Sequence, residues 1–401
     1  MMLLRSDAIY TEQGKIDGYL LVEGGRIAAV AAGPVPSAMA DVPVVDAVGC
    51  RVIPGMIDLH IHGAGGWPVE GVGAGELRAL ARYLAAFGVT GFLPSASARS
   101  LEVLESTALT VRGAMAGEPD GAAILGTHLE GPYLNPAMKG AMNPDLFRLP
   151  SIPEMERLLE LSEQTVRRVT LAPEKPGALE LAAFLAAHGV AVAGGHTDAT
   201  YDQTLAGIDA GVRIANHTYN AMKGLHHREP GALGAYMTDD RVLCEAICDF
   251  LHVHPAALKV LLRVAGRDRV AVISDAIPAA GMPPGDYRLL GREVHIDEQG
   301  YSKLANGTIA GSTKLMLHGL RNLVEGLGVS WEDATHMTAL TAARAIGLGA
   351  RKGSLAPGKD ADLVVLGPDW QVAWTIVEGH VVRRPGDPAP DLNPAFLAAR
   401  T

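Results

Sequence analysis

The sequence predicts an α/β fold in which a (β/α)₈ TIM barrel is joined by a small β-sandwich domain formed from both termini. Three observations predict it. Short apolar runs alternate with helix-like segments in the middle of the chain, polar residues follow the carboxyl ends of these runs, and both ends of the chain read as antiparallel strands. We expect the barrel over residues 54–350 and the small domain over residues 1–53 and 351–401. A doubly wound open sheet is the alternative, because periodicity does not distinguish a closed sheet from an open one.

Eight apolar runs supply the predicted barrel strands. In chain order they are MIDLHIH, VTGFLPS, ILGTHLEG, RVTLAPE, VAVAGGH, VRIANH, LCEAICD and VAVISDA. Helical patterning fills the segments between them, as in GELRALARYLAAFG and LELAAFLAAHG. Each of these two segments ends in a glycine, which is typical of a helix C-terminus. Repeated strand–helix units of this kind predict a parallel sheet.

The two ends of the chain have a different pattern. The segments DGYLLVEGGRIAAV and DADLVVLGPDWQVAWTIVEGHVV alternate apolar and polar residues and contain turn signals, as antiparallel strands do. Chain termini often lie close together in space. We therefore expect both ends to pair into one small domain beside the barrel.

The first barrel run ends in two histidines, His60 and His62. Residues two apart in a strand point to the same side, so both imidazoles project together. The glycines at 63, 65 and 66 end the strand directly afterwards. Such a pair is either a hydrogen-bonded strand end or half of a metal site, and the rest of the chain decides between them.

Glu130, His196, His217 and Asp275 follow later runs. Taken singly, each has an ordinary structural explanation, such as a loop cap for Glu130 or a turn for Asp275. Together with the first two histidines they offer nitrogen and carboxylate ligands suited to zinc or another transition metal. They meet around one mouth only if the sheet closes into a barrel. The sequence therefore predicts a divalent metal site at the carboxyl ends of the strands.

Composition narrows the function classes. The net charge of -10 argues against a nucleic-acid partner but leaves a small anionic substrate open. Three cysteines cannot form a disulfide framework, which favours a reducing compartment. The N-terminus lacks a signal-peptide pattern and no run is long enough to span a membrane, so we expect a cytoplasmic protein without a membrane partner. Neither a G-x-S-x-G elbow nor a Walker motif occurs in the sequence.

Several strings carry a family resemblance. PGMIDLHIHGAGG, HLEGPYLN, GGHTDA, NHTYNAMKGLHHREPGALG, ISDA and LANGTIAGSTKLM stand in this order along the chain. They are similar to those of the N-acetylglucosamine-6-phosphate deacetylases of the amidohydrolase superfamily, and the similarity runs through nearly the whole chain. The block NAMKGLHHREPG is the most specific element, since His-x-His alone indicates only the superfamily.

The resemblance implies hydrolysis of the acetamide of N-acetyl-D-glucosamine 6-phosphate to glucosamine 6-phosphate and acetate. It implies that Glu130, His196 and His217 hold the main metal ion. His60 and His62 would hold a second ion in those members that have one, and Asp275 is the catalytic acid and base. Zinc is the first choice of metal, with iron, cobalt or manganese as alternatives, at one or two ions per subunit. The substrate-binding positions are Ala141, Asn220, Ala221, Arg228, His252, Ile309, Ala310 and Gly311. The resemblance also implies a homodimer or homotetramer in which Arg228 reaches a neighbour's site.

One position departs from the family pattern. Met142 stands where members usually carry a histidine, which leaves the preferred hexosamine epimer open. The alternatives are therefore a deacetylase of another N-acetylated hexosamine phosphate, such as N-acetylgalactosamine 6-phosphate, or a cyclic-amide hydrolase of the same superfamily. A metal-free scaffold barrel is the alternative outside enzymes.

Overall fold

The computed structural model describes residues 1–289 and 291–398. Its largest part is a ring of eight parallel strands, each hydrogen-bonded to the next in chain order. The strands are Met56–Ile61 (β1), Val89–Ala96 (β2), Thr127–Glu130 (β3), Val166–Leu171 (β4), Ala191–Gly194 (β5), Val212–Ala215 (β6), Leu243–Ile247 (β7) and Val270–Ile273 (β8). The ring closes where the Asp275 N–H donates to the His60 carbonyl at 2.9 Å and the His62 N–H donates to the Ala276 carbonyl at 2.7 Å. The predicted (β/α)₈ barrel is confirmed, and the open sheet is excluded.

A helix follows every barrel strand. The helices are Ala74–Ala85 (α1), Leu101–Ala114 (α2), Ile152–Leu161 (α3), Ala178–Ala187 (α4), Tyr201–Ala210 (α5), Gly231–Thr238 (α6), Pro255–Ala265 (α7), Met316–Arg321 (α8), Trp331–Thr335 (α9), Thr341–Ala345 (α10) and Pro394–Ala398 (α11). The two predicted glycine stops hold, because Gly88 after α1 and Gly189 after α4 have φ of 80° and 72°. Helices cover the outer face of the ring, which explains why all six residues of β1 are buried. None of the helices in the described part of the chain is long and apolar enough to cross a membrane.

Both termini build a second, eight-stranded sheet. Its strands are Met2–Thr11, Gly14–Glu23, Arg26–Ala32, Val44–Asp46, Arg51–Pro54, Leu363–Leu366, Val372–Val377 and His380–Arg383. The two ends meet where Leu363–Leu366 pairs antiparallel with Arg51–Pro54. The predicted contribution of both termini to one β-domain is confirmed. The domain boundaries at residues 53/54 and 350/351 stay a prediction.

A single glycine joins this sheet to the barrel. Gly55 lies between the strand Arg51–Pro54 and β1, and its N–H donates to the Asp362 carbonyl at 3.1 Å. A Cβ at Gly55 would lie 2.1 Å from the side chain of Thr90, so only glycine fits there. The Thr375 hydroxyl adds a second tie by donating to the Ala85 carbonyl at the end of α1, at 2.7 Å. The two sheets are therefore held together by the covalent joint and by hydrogen bonds.

Between β8 and α8 the chain forms an antiparallel insertion that the sequence analysis did not anticipate. We call it the hairpin sheet; its strands are Gly285–Leu289, Arg292–Ile296 and Ser302–Lys303. Its apolar face packs on the segment that follows β8, and Tyr287 stacks on Phe396 of α11 with ring centroids 5.6 Å apart. The hairpin sheet thus lies at the carboxyl end of the barrel, where the predicted site is located.

Candidate metal centre and active site

The barrel brings all six predicted catalytic and metal-binding side chains together at the carboxyl ends of its strands. They form two groups, one of His60, His62 and Asp275 and the other of Glu130, His196 and His217. Within each group the ligand atoms lie within 4.8 Å of one another. The convergence expected from a closed sheet is therefore present, while the role of each residue stays a prediction.

The carboxylate of Glu130 lies between the two groups. Its Oε1 is 3.0 Å from Nε2 of His217 and 3.3 Å from Nε2 of both His196 and His60. Its Oε2 is 3.2 Å from Nε2 of His62. Asp275 completes the arrangement, with Oδ1 3.6 Å and 3.5 Å from Nε2 of His60 and His62. One carboxylate is thus within reach of both groups.

Two of the histidines are oriented by backbone carbonyls. His196 Nδ1 lies 2.8 Å from the Met138 carbonyl, and His62 Nδ1 lies 2.9 Å from the Ser95 carbonyl. Because a carbonyl oxygen only accepts, each Nδ1 carries the hydrogen and each Nε2 presents a lone pair to the centre. In metal sites, histidine ligands are commonly oriented in this way, by a hydrogen bond from the ring nitrogen that does not bind the metal.

The ligand atoms of the second group lie close together. His196 Nε2 and His217 Nε2 are only 3.0 Å apart, and both face the carboxylate of Glu130. A nitrogen lone pair and a carboxylate oxygen at this distance repel each other unless a proton or a metal cation lies between them. A nitrogen-and-carboxylate donor set of this kind fits a divalent transition-metal ion.

The ionisation of the site shows the same preference. Burial lowers the pKa of His60, but the carboxylates of Glu130 and Asp275 outweigh it and raise the pKa to about 10. Burial raises the pKa of Glu130, but His60, His196 and His217 outweigh it and hold the pKa well below its usual range. The two shifts have one cause, the attraction between the buried imidazoles and the carboxylates that face them.

The backbone turns sharply where the strands end. His196, His217, Ala221 and Asp275 have φ of 46°, 29°, 46° and 49°, in or beside the left-handed region that residues with a Cβ rarely adopt. Conformations of this kind cost about 1–3 kcal/mol each and cluster at functional sites. Here they direct the chain out of the strands at the points where the site residues stand.

A buried ion pair lies below the centre and was missed in the sequence analysis. Arg168 of β4 is fully buried and binds both carboxylate oxygens of Glu245 of β7, with Nη2 2.7 Å from Oε2. Nη2 of Arg168 also donates to Oδ1 of Asn216, whose Nδ2 donates to Glu130 Oε1 at 2.9 Å. Oε2 of Glu245 accepts the backbone N–H of His217 at 3.1 Å. The pair thus supports two of the predicted ligands, and its sequence signal is a charged residue inside each of two apolar runs.

His252 is held by a carboxylate beside the centre. Its Nδ1 donates to Oδ2 of Asp249 at 2.8 Å, and the Ser312 hydroxyl donates to the same oxygen at 2.8 Å. Burial lowers the pKa of His252, but the Asp249 carboxylate outweighs it, so that the net shift is upward. With Nδ1 engaged, Nε2 is the nitrogen that remains for a ligand.

A cavity of about 710 Å³ opens above the centre. Most of the predicted site residues line it: His62, Glu130, Ala141, His196, His217, Asn220, Ala221, His252, Asp275, Ile309, Ala310 and Gly311. His60 is fully buried at its floor, and Met142 also lies in its wall. Arg228 is the exception among the described residues, since it is exposed outside this cavity, with Nη1 2.7 Å from His227 Nε2. The hairpin sheet adds Arg288, Leu289, Arg292 and Val294, which the sequence analysis did not name.

Comparison with protein families and curated proteins identifies similar chains. The model of the amidohydrolase family matches residues 51–382. The N-acetylgalactosamine-6-phosphate deacetylase of Escherichia coli O157:H7 is 40% identical over 380 residues, covering 94% of this chain and 98% of that protein. The N-acetylglucosamine-6-phosphate deacetylase of Vibrio furnissii is 37% identical over 382 residues, covering 94% and 91%.

Solved structures are similar over the same extent. N-acetyl-D-glucosamine-6-phosphate deacetylase from Mycobacterium smegmatis, in a mutant form in complex with N-acetyl-D-glucosamine-6-phosphate, has a TM-score of 0.87 and 36% identity and covers 95% of this chain and 99% of that one. The N-acetylglucosamine-6-phosphate deacetylase from Pasteurella multocida has a TM-score of 0.89 and 29% identity, with coverage of 95% and 99%.

Proposed function

Because the chain belongs to the amidohydrolase family, as its motifs predict, we propose that it hydrolyses the acetamide of N-acetyl-D-glucosamine 6-phosphate to glucosamine 6-phosphate and acetate. The observation that carries this proposal is the convergence of Glu130, four histidines and Asp275 on the floor of one cavity. A neutral amide resists attack by water, so the reaction needs an activated nucleophile and a protonated leaving group.

Glu130, His196 and His217 would hold the main divalent ion, and His60 and His62 a second one. Zinc is the first choice from the donor set, with iron, cobalt or manganese as alternatives. Such an ion, when bound, lowers the pKa of water toward about 7 and polarises carbonyl oxygens. The two orienting carbonyls of Met138 and Ser95 keep Nε2 of His196 and His62 ready for this role.

Asp275 takes the proton from the attacking water and returns it to the departing amine of the sugar. A carboxylate can do both in sequence, because it is a base before the first transfer and an acid after it. His252 donates from Nε2 to the oxygen of the acetamide as negative charge develops there, while Asp249 holds its ring. Asn220, Ala221, Ala141 and residues 309–311 line the same cavity and contact the sugar.

N-acetylgalactosamine 6-phosphate is the second candidate substrate, because the 40% identical relative bears that name. The test is acetate release from both phosphorylated sugars, from unphosphorylated N-acetylglucosamine and from a cyclic amide, with metal content measured on the same preparation. We expect turnover of N-acetylglucosamine 6-phosphate by protein that contains one or two divalent ions per chain. Turnover of the cyclic amide alone would overturn the proposal, and so would metal-free protein without turnover of any substrate.

Met142→His is expected to change kcat/KM on N-acetylglucosamine 6-phosphate by less than about fivefold. A thioether cannot donate a hydrogen bond, whereas an imidazole can, but the rest of the cavity wall already offers donors. The measurement is kcat/KM on both epimers before and after the change. A large gain on the glucosamine derivative with a matching loss on the galactosamine derivative would instead assign epimer preference to Met142.

Arg228→Ala is expected to raise KM for the phosphorylated sugar about tenfold and to leave KM for the unphosphorylated sugar unchanged. We propose that this exposed guanidinium binds the phosphate of a substrate held by a neighbouring subunit, since it lies outside the cavity of its own chain. Steady-state kinetics on both sugars checks it, with Arg263→Ala on α7 as an exposed arginine control. Equal losses on both sugars would make the role of Arg228 structural.

We further propose a homodimer or homotetramer, a cytoplasmic location and a division into domains at residues 53/54 and 350/351. The role that we propose for Arg228 at a neighbour's site requires an oligomer, and the three unpaired cysteines support a reducing compartment. Sedimentation of the purified protein, at concentrations used for the kinetics, tests the assembly directly.

A further inference from the structure

Arg292 stands on the inner face of the hairpin sheet. It pairs with Leu289 across the two long strands, and the residues that share this face, Tyr287, Leu289 and Val294, are buried. Its neighbour in the other register, Arg288, pairs with Glu293 on the outer face and is exposed. Arg292 is half-buried and lines the cavity above the centre. Arg288 contributes to the lining of this cavity as well, but its side chain is exposed, so Arg292 is the more buried of the two arginines of the hairpin sheet.

The charge of Arg292 has no carboxylate partner within residues 1–289 and 291–398. Among the described residues, the one hydrogen bond of its side chain runs from Nη1 to the carbonyl of Ala141, a neutral acceptor, at 2.5 Å. A guanidinium has five N–H donors, so most of them remain for a ligand. The other half-buried arginine of this wall, Arg99, is already engaged by Glu70, with Nε 2.5 Å from Oε2. Arg292 is thus the half-buried arginine of the cavity that no acid within the described part of the chain matches.

The cavity therefore carries negative charge at its floor and positive charge in one wall. Glu130 and Asp275 lie at its floor, where the metal ion would be held, and the guanidinium of Arg292 lies in the wall that the hairpin sheet provides. A substrate with a neutral amide at one end and an anion at the other would be oriented by this arrangement. A planar guanidinium suits a phosphate in particular, because its fork donates two parallel hydrogen bonds to two oxygens.

We infer that Arg292 binds the phosphate group of the substrate from within the same subunit that holds the reacting amide. The inference rests on the proposed function and assigns the hairpin sheet a part in substrate recognition. Arg228 would approach the same phosphate only from a neighbouring copy, whereas Arg292 is supplied by the chain that forms the cavity. The contact to Ala141 also fixes the loop that follows β3 against the hairpin sheet.

The test compares Arg292→Ala, Arg292→Lys and Arg263→Ala with the unaltered enzyme on phosphorylated and unphosphorylated N-acetylglucosamine. We expect Arg292→Ala to lower kcat/KM by about 10- to 100-fold on the phosphorylated sugar and hardly at all on the unphosphorylated one. Arg292→Lys keeps the charge but loses the planar guanidinium, so its kcat/KM on the phosphorylated sugar should lie between those of Arg292→Ala and the unaltered enzyme. Inhibition by inorganic phosphate should weaken in the same order. Arg263→Ala, which removes an equal charge from an exposed position of α7 outside the cavity, should leave the ratio between the two sugars unchanged.

Any other result overturns the inference, and each such result points to a different explanation. Equal losses on both sugars would mean that Arg292 only anchors the Ala141 loop. The same loss in Arg263→Ala would mean a general attraction by charge rather than a contact. Should Arg292→Ala fail to fold, Arg292→Lys carries the test, and an unchanged ratio there rejects the contact. Absence of turnover by the unaltered enzyme would reject the proposed function and this inference together, whereas an unchanged ratio in an active enzyme rejects the inference alone.

Discussion

We expect Asp275→Asn to lower kcat by about 10²–10⁴-fold while the protein retains its main metal ion, because general acid–base catalysis contributes a factor of this size. Asparagine has the shape of aspartate but cannot accept the proton of the attacking water. The backbone tolerates the change, since Asp275 has φ of 49° and asparagine is among the residues that adopt this region most readily. The effect is therefore chemical rather than a result of misfolding.

The measurement is kcat on N-acetylglucosamine 6-phosphate together with metal content per chain. Asp202→Asn, at an exposed position in the first turn of α5, is the matched control and should retain full activity. Activity of Asp275→Asn equal to that of the unaltered enzyme would remove Asp275 from the mechanism. Loss of the main metal ion would show that it acts as a ligand instead.

Arg168→Met is expected to destabilise the protein by about 3–5 kcal/mol, because it leaves the carboxylate of Glu245 buried without its arginine partner. Burial raises the pKa of Glu245, but Arg168 and His60 outweigh it and lower the pKa from 4.5 to about 2. A lowered pKa means that this carboxylate stabilises the fold above pH 4.5 and that the contribution is lost as pH falls toward 2. Without Arg168, Glu245 takes up a proton at higher pH, so the variant should also lose stability earlier on acidification.

Denaturant unfolding monitored at several pH values checks this expectation. Arg157→Met is the matched control, because its pair with Glu105 lies at the surface and such pairs contribute about 0–1 kcal/mol. Replacing both buried partners, as Arg168→Met with Glu245→Met, should recover much of the loss, since no uncompensated charge remains. A single variant as stable as the unaltered protein would show that the pair is not needed by the fold. Reduced metal affinity in the single variant would link the pair to the centre through Asn216 and His217.

The barrel could be predicted because buried parallel strands appear in the sequence as apolar runs. The metal centre could be predicted because ionisable residues at the ends of several strands are rarely explained by structure alone. His60, His62, Glu130, His196, His217 and Asp275 could be selected on that ground alone. Their mutual distances depend on closure of the ring, which no local pattern encodes. The left-handed conformations at His196 and Asp275 also escaped notice, because neither residue type requires them.

The hairpin sheet and the ion pair below the centre were not predicted from the sequence, for a different reason. The alternation of polar and apolar residues in DYRL and in REVHI is a strand signal, but both stretches lie within residues 54–350, which the sequence analysis assigned to the barrel. Arg168 and Glu245 lie 77 positions apart, and a charge within an apolar run does not reveal its partner. The inward direction of Arg292 likewise depends on the strand register, which is fixed only by the folded pair.

The glycine joint between the terminal sheet and the barrel bears on how such a chain can change over generations. Gly55 admits no side chain beside Thr90, and the neighbouring strand of the sheet holds it through Asp362. If recombination replaced the barrel with another one, the new barrel would have to supply a residue that fits against this glycine as Thr90 does. It would also have to place a carbonyl where Ala85 accepts the hydrogen bond from Thr375. We therefore expect the terminal sheet and the barrel to have evolved together as one unit, by amino-acid substitution. Phylogenetic trees built separately from the two domains should then have the same branching order.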